Sequence, residues 1–148
     1  MKTLTFHISI DAPVSKVYQT MLNRETYRQW TAVFDPSSDF EGGWNKGDKI
    51  YFLGPSENGD RQGMIAEIVE NIPNKFVSIR HYGLLSADQE ITSGKEVAEW
   101  AGALENYSFE EIGGKTGLQV DLDSNEQYLS YFTETWPLAL KKLKQLAE

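Results

Sequence analysis

No cysteine occurs among the 148 residues, which excludes disulfides, thiolate nucleophiles and thiolate metal sites and fits a reducing, cytoplasmic setting. The only two histidines, His7 and His81, share no ligand spacing, so no metal site is expected. Long apolar runs are missing too. None approaches the ~20 residues needed to cross a bilayer, and Met1-Lys2-Thr3 leads into alternation rather than a signal-like apolar segment. Basic residues are the scarcer charge, 14 against 22 acidic ones, for a net charge of -8. Nucleic acid recognition by phosphate neutralisation needs a basic face, so nucleic acid is not an expected partner. HExxH, P-loop and dinucleotide fingerprints are absent, and the glycines fall at turns. Asp35, Asp39, Asp48, Asp121 and Asp123 lack the spacing of a calcium loop. No cofactor is expected.

What remains is an ordinary globular composition, 40% hydrophobic and 24% charged, in a chain long enough for one domain over residues 1–148 with its own core. Leu4, Phe6, Ile8 and Ile10 alternate with Thr3, Thr5, His7 and Ser9, the period of a half-buried strand. Pro13 suits the first turn of a helix, and Val14, Val17, Tyr18 and Met21 give that helix one apolar face. Asn23 is placed to cap a second short helix ending at Trp30.

From Asp39 onward the pattern is hairpins. Strands at Phe40–Gly43 and Lys49–Leu53 flank the turn Trp44-Asn45-Lys46-Gly47-Asp48, and Asn58-Gly59 is a hairpin signal. Arg61–Asn71 and Lys75–Leu85 meet at Ile72-Pro73-Asn74. Trp100–Ile112 and Thr116–Leu122 meet at Gly113-Gly114-Lys115. Such connections predict an antiparallel sheet. Ser86–Glu99 interrupts the rhythm as a polar excursion, a solvated loop or a lid, with a capping box at Ser93…Glu96. A final helix is predicted from Ser124, capped with Gln127, carrying Leu129, Phe132, Trp136, Leu140 and Leu143 as one stripe. Pro137 should kink it. Lys141, Lys142 and Lys144 complement its dipole or offer a patch to an acidic partner.

Ile8-Ser9-Ile10-Asp11-Ala12-Pro13-Val14-Ser15-Lys16-Val17-Tyr18, with Trp30 following, resembles the opening of the START/SRPBCC superfamily. Trp44–Asp48, the tract around Gly63-Met64-Ile65, Tyr107–Glu111 and Trp136 with Leu140 and Leu143 resemble its branch of activator of heat-shock-protein-90 ATPase homologues. The resemblance implies an α+β helix-grip fold: a curved antiparallel β-sheet wrapped around a long C-terminal helix, with two short helices after the first strand. Lipid carriers, hormone receptors and polyketide cyclases share that superfamily, so the fold does not name a function. The separate chaperone-binding domain of the eukaryotic activator has no room here, and direct chaperone activation does not follow.

An inward face on Trp100–Ile112 would hold Ala101, Ala103, Glu105, Tyr107 and Phe109. Glu105 is its odd member, a carboxylate among small and aromatic groups, suited to general acid–base work or to a structural hydrogen bond. His81, in phase with Val77 and Ile79, and Tyr107 are its candidate neighbours. A cavity is expected to be bordered by Trp30, Trp44, Tyr51, Met64, Trp100, Tyr128, Phe132 and Trp136 together with those three. The expected partner is an apolar or aromatic small molecule or a lipid, without stable membrane insertion. The alternatives are a cyclase- or hydratase-like enzyme using Glu105 and His81, and a chaperone-related domain with a protein partner.

Overall fold

The computed structural model describes residues 1–56 and 58–148. Its elements, in order, are β1 (Lys2–Ile10), α1 (Val14–Leu22), α2 (Arg24–Trp30), β2 (Asp39–Gly42), β3 (Lys49–Leu53), β4 (Gly63–Ile72), β5 (Phe76–Ser86), β6 (Gln89–Ile91), α3 (Lys95–Ala98), β7 (Ala103–Ile112), β8 (Lys115–Ser124) and α4 (Leu129–Ala147). The eight-stranded sheet has the order β1-β8-β7-β5-β4-β3-β2, with β6 beside β5. Every described pair is antiparallel. This is an α+β helix-grip fold, and one side of the sheet closes on α4.

The first strand does not pair with the next one in sequence. β1 lies along β8 from Lys2↔Ser124 to Ile10↔Thr116. Its alternation presents Phe6 to α4, where the ring stacks on Trp136 at 6.2 Å. At the corner after β1, the buried Thr116 hydroxyl donates to the Ala12 carbonyl at 2.8 Å, so the turn into α1 is tied to the last strand. Asn23 caps α2 as its side chain accepts from Glu25 N–H at 3.0 Å. Both short helices pack against α4. On α4 the buried face is Trp136, Ala139, Leu140, Leu143 and Ala147. Ile10, Val17, Met21, Ile50, Ile68, Ile79 and Val120 complete the apolar core.

Several expectations need correction. The last helix begins at Leu129, after a 3₁₀ turn over Glu126–Tyr128. Ser124 stays in β8 because the ladder to β1 runs to it, and its hydroxyl donates to the Asn125 carbonyl rather than capping a helix. The helix continues past Pro137, which lies on its exposed side, to Ala147. The Ser86–Glu99 excursion is more ordered than a loop. Ala87 and Asp88 both have positive φ, 49° and 64°, the two-residue turn that suits a tight hairpin, and β6 folds back on β5. Gly94, at φ 95°, precedes α3 without a side-chain cap, so the Ser93…Glu96 box does not form. α3 and the turn after it displace the start of the next strand from Trp100 to Ala103.

Glycine matters in that excursion. A Cβ on Gly83 would stand 3.0 Å from the Ile91 carbonyl oxygen and 3.2 Å from Thr92. The returning chain therefore lies against the sheet where a side chain would stand. Lys144, finally, is committed at the end of α4, its ammonium donating to the Ser9 carbonyl at 3.0 Å and pairing with Glu148.

Candidate functional site

Between the inner face of the sheet and the first half of α4 lies a cavity of about 520 Å³. Its floor is aromatic and closed: Trp30, Tyr107 and Trp136 are buried. Phe34, Phe52, Met64 and Leu84 form the apolar sides. Tyr128 from the 3₁₀ turn before α4, Tyr131 from its first turn, and Glu96 and Trp100 from the segment between β6 and β7 stand at a more exposed rim. The polyphenolic and indole lining follows from local periodicity. Trp136 and Phe132 are one helical turn apart, and Tyr27 sits a turn before Trp30.

One polar cluster interrupts this wall. Glu105 and Tyr107 are two residues apart on β7 and share its inner face. The β5–β7 register sets Ile79 opposite Glu105 and His81 opposite Ala103. His81 is thus the diagonal neighbour of Glu105, close enough for long side chains to meet. His81 Nε2 lies 3.1 Å from Glu105 Oε1, and the Tyr107 hydroxyl donates to Oε2. Both side chains of the His–Glu pair are mostly buried, 13% and 15% exposed. His81 Nδ1 is buried with no partner. A hydrogen on Nε2, facing the carboxylate, leaves Nδ1 as an acceptor and accounts for all these contacts.

Tyr27 and Tyr107 face the same negative charge. Burial first, and the Glu105 carboxylate second, push both phenols above their ordinary range, Tyr107 well above it. They are therefore neutral hydroxyls at any physiological pH. Unfolded phenols ionise near pH ~10, whereas the folded ones hold their protons, so stability present below that pH is lost as the pH climbs past it. Tyr27→Phe combined with Tyr107→Phe is expected to flatten this alkaline loss, read as the urea midpoint against pH. An equally steep loss in the double variant would show that these two phenols are not its source.

Nine of the eleven sequence-selected residues line the cavity: Trp30, Met64, His81, Trp100, Glu105, Tyr107, Tyr128, Phe132 and Trp136. Two do not. Tyr51 belongs to the other face of β3, where its hydroxyl donates to Glu90 and the cations of Lys49 and Arg61 each lie 5.3 Å from its ring. Strand alternation explains this, since Ile50 and Phe52 take the inner face. Trp44 packs beside the cavity rather than on it, against Phe40 at 5.3 Å and Phe52 at 5.8 Å.

Sequence reasoning passed over Tyr27, Phe34, Phe52, Leu84 and Tyr131. Phe52 and Tyr27 could have been found by continuing the phase of Ile50 and Trp30. Leu84 could not. Register shifts between Ile65 and Ala66, so Tyr82 is left unpaired as a bulge and the phase of β5 changes after His81.

The profile of the family described as Activator of Hsp90 ATPase homolog 1-like protein matches residues 11–148. The chain belongs to that family. Its helix-grip fold is shared by solved structures. The Aha1 dimer from Colwellia psychrerythraea is 21% identical, with a TM-score of 0.73 over 100% of this chain and 97% of that one. Protein NE0264 from Nitrosomonas europaea is 16% identical, with a TM-score of 0.72 over 97% and 92%. DynU16, from the dynemicin biosynthetic locus, is 14% identical, with a TM-score of 0.68 over 98% of this chain and 46% of its own. At these identities the likeness concerns the fold. No curated protein matches in sequence.

Proposed function

We propose that this family member binds a small molecule with a largely apolar, often aromatic, body in the cavity between sheet and α4. The observation that carries this reading is the cavity itself. About 520 Å³ of space falls within the roughly 300–1,000 Å³ of small-ligand sites, and an aromatic lining with a few convergent polar groups is what such sites share. A core built only for stability would have closed around that space, because interiors pack to crystal-like density. DynU16's place in a biosynthetic locus accords with small-molecule work for this fold.

Native mass spectrometry of freshly purified protein tests it. A co-purifying small molecule, or uptake of an environment-sensitive dye by the native state that such a molecule displaces, is the expected result. No co-purifying mass and no dye uptake would overturn the reading.

The contact between Glu105 and His81 favours a second reading, in which the domain also moves a proton on what it binds, as a cyclase or hydratase would. Binding ranks first because the cluster's groups point at one another: Tyr107 and His81 both spend their hydrogens on Glu105, and Nδ1 is sealed off. Turnover abolished in Glu105→Gln with binding retained would promote the enzyme reading. A protein-partner role rests on the family alone.

A further inference from the structure

We propose that the cavity selects a cationic ligand, a protonated amine on an apolar body, with Glu105 as counter-charge and the surrounding rings as its cage. This rests on the ligand-binding reading above and specifies its chemistry.

The first ground is charge. Among the described residues lining the cavity there is no lysine or arginine, but there are three carboxylates: Glu96, Glu105 and Asp123. An anionic head such as a fatty acid or phosphate would be desolvated there beside Glu105 with no lysine or arginine to receive it, which is strongly unfavourable. Asp123 ties β8 to both neighbouring strands, accepting from Leu104 N–H of β7 at 3.0 Å and from the Thr3 hydroxyl of β1 at 2.8 Å. Glu96 belongs to the exposed rim. Glu105 is the deep acid. It accepts two hydrogens where a carboxylate offers about four lone-pair sites, and so has capacity for a ligand.

The second ground is the direction of the hydrogen bonds. Three of the wall's donors are spent within the protein. Trp30 Nε1–H goes to the Met21 carbonyl at 3.0 Å, Trp100 Nε1–H to the Glu96 backbone carbonyl at 2.7 Å, and the Tyr131 hydroxyl to the Phe34 carbonyl at 3.2 Å. Acceptors are left over. Asn125 Oδ1, on the lining, is buried with no donor. A ligand that brings hydrogens completes this set; one that brings only lone pairs does not.

The third ground is the rings. Tyr107 lies 6.4 Å from Trp136, and Trp136 lies 5.9 Å from Trp30 and 5.2 Å from Phe34. Aromatic faces attract a cation most strongly where water is excluded. A carboxylate at the edge of such a box holds the charge without the bulk of a second side chain.

Calorimetric titration of the full chain with naphthylethylamine, naphthylethanol and naphthylacetate tests the proposal, because the three share a body and differ in head. The amine is expected to bind tighter than the alcohol by roughly tenfold or more, as a desolvated cation over aromatic rings would, with the acetate weakest. Glu105→Gln should remove most of that advantage while the alcohol's affinity changes little. Equal binding of amine and alcohol, or tightest binding of the acetate, would overturn the cation preference and leave cavity binding standing. An amine advantage that survives in Glu105→Gln would overturn the role of Glu105. Binding of none of the three defeats the ligand-binding reading, and this inference with it. If the variant does not fold, the ranking on the native chain decides.

Discussion

Trp136→Ala is expected to lower the free energy of unfolding by about 3–5 kcal/mol, the usual cost of truncating a buried aromatic. The side chain is 4% exposed and joins four elements of the chain. It stacks on Phe6 of β1, meets Trp30 of α2 and Tyr107 of β7, and takes the edge of Phe34 in the segment after α2. One side of its ring looks into the cavity, so part of its contact is already missing, and the lower end of the range is expected. Against a total of about 5–15 kcal/mol for a domain, that is still a large share. The measurement is the urea midpoint. An unchanged midpoint with unchanged slope would mean that this face of α4 does not anchor the helix.

Ala103→Phe is expected to cost the domain most of its ligand affinity, at least about tenfold, which is ~1.4 kcal/mol, while leaving it folded. Ala103 is buried on the inner face of β7, opposite His81 in register and on the cavity wall. A benzyl group there enters existing space rather than an already packed region. Stability should change by no more than ~1.5 kcal/mol, and a gain is as natural as a loss because apolar surface replaces a void. The probe is the same environment-sensitive dye, with thermal unfolding as the control on folding. Full-strength dye binding by a folded Ala103→Phe would place the dye, and the binding site, elsewhere on the molecule. The two variants separate the functions of one aromatic wall. Trp136 holds the helix to the sheet, whereas Ala103 is small so that space remains.

The amino-acid sequence determined, by itself, whatever depends on neighbours along the chain. The period of two in Leu4–Ile10 made β1 half-buried. The turns at Ile72-Pro73-Asn74 and Gly113-Gly114 made antiparallel hairpins, with Asn74, Gly113 and Gly114 at positive φ. The two-residue step from Glu105 to Tyr107 set a carboxylate and a phenol on one face, and the three- and four-residue steps from Phe132 to Leu143 gave α4 its stripe. These are matters of backbone period and local sterics, and they announced antiparallel hairpins and a closing amphipathic helix, while the grip of sheet on helix was what the family resemblance implied.

Tertiary structure decided what depends on which strands become neighbours. The pairing of β1 with β8 extended the last strand through Ser124 and moved the start of α4 to Leu129. The β5–β7 register, and nothing near His81 in sequence, brought that ring to Glu105. The bulge at Tyr82 turned Leu84 into the cavity, a change of phase that no periodicity announces. Tyr51 and Trp44 show the same limit from the other side. Being aromatic and close to a hairpin says that a ring will be covered, not on which face. That choice is made when the sheet curls and packs, because register and bulges answer to the whole interior, whereas period and turn answer only to adjacent residues.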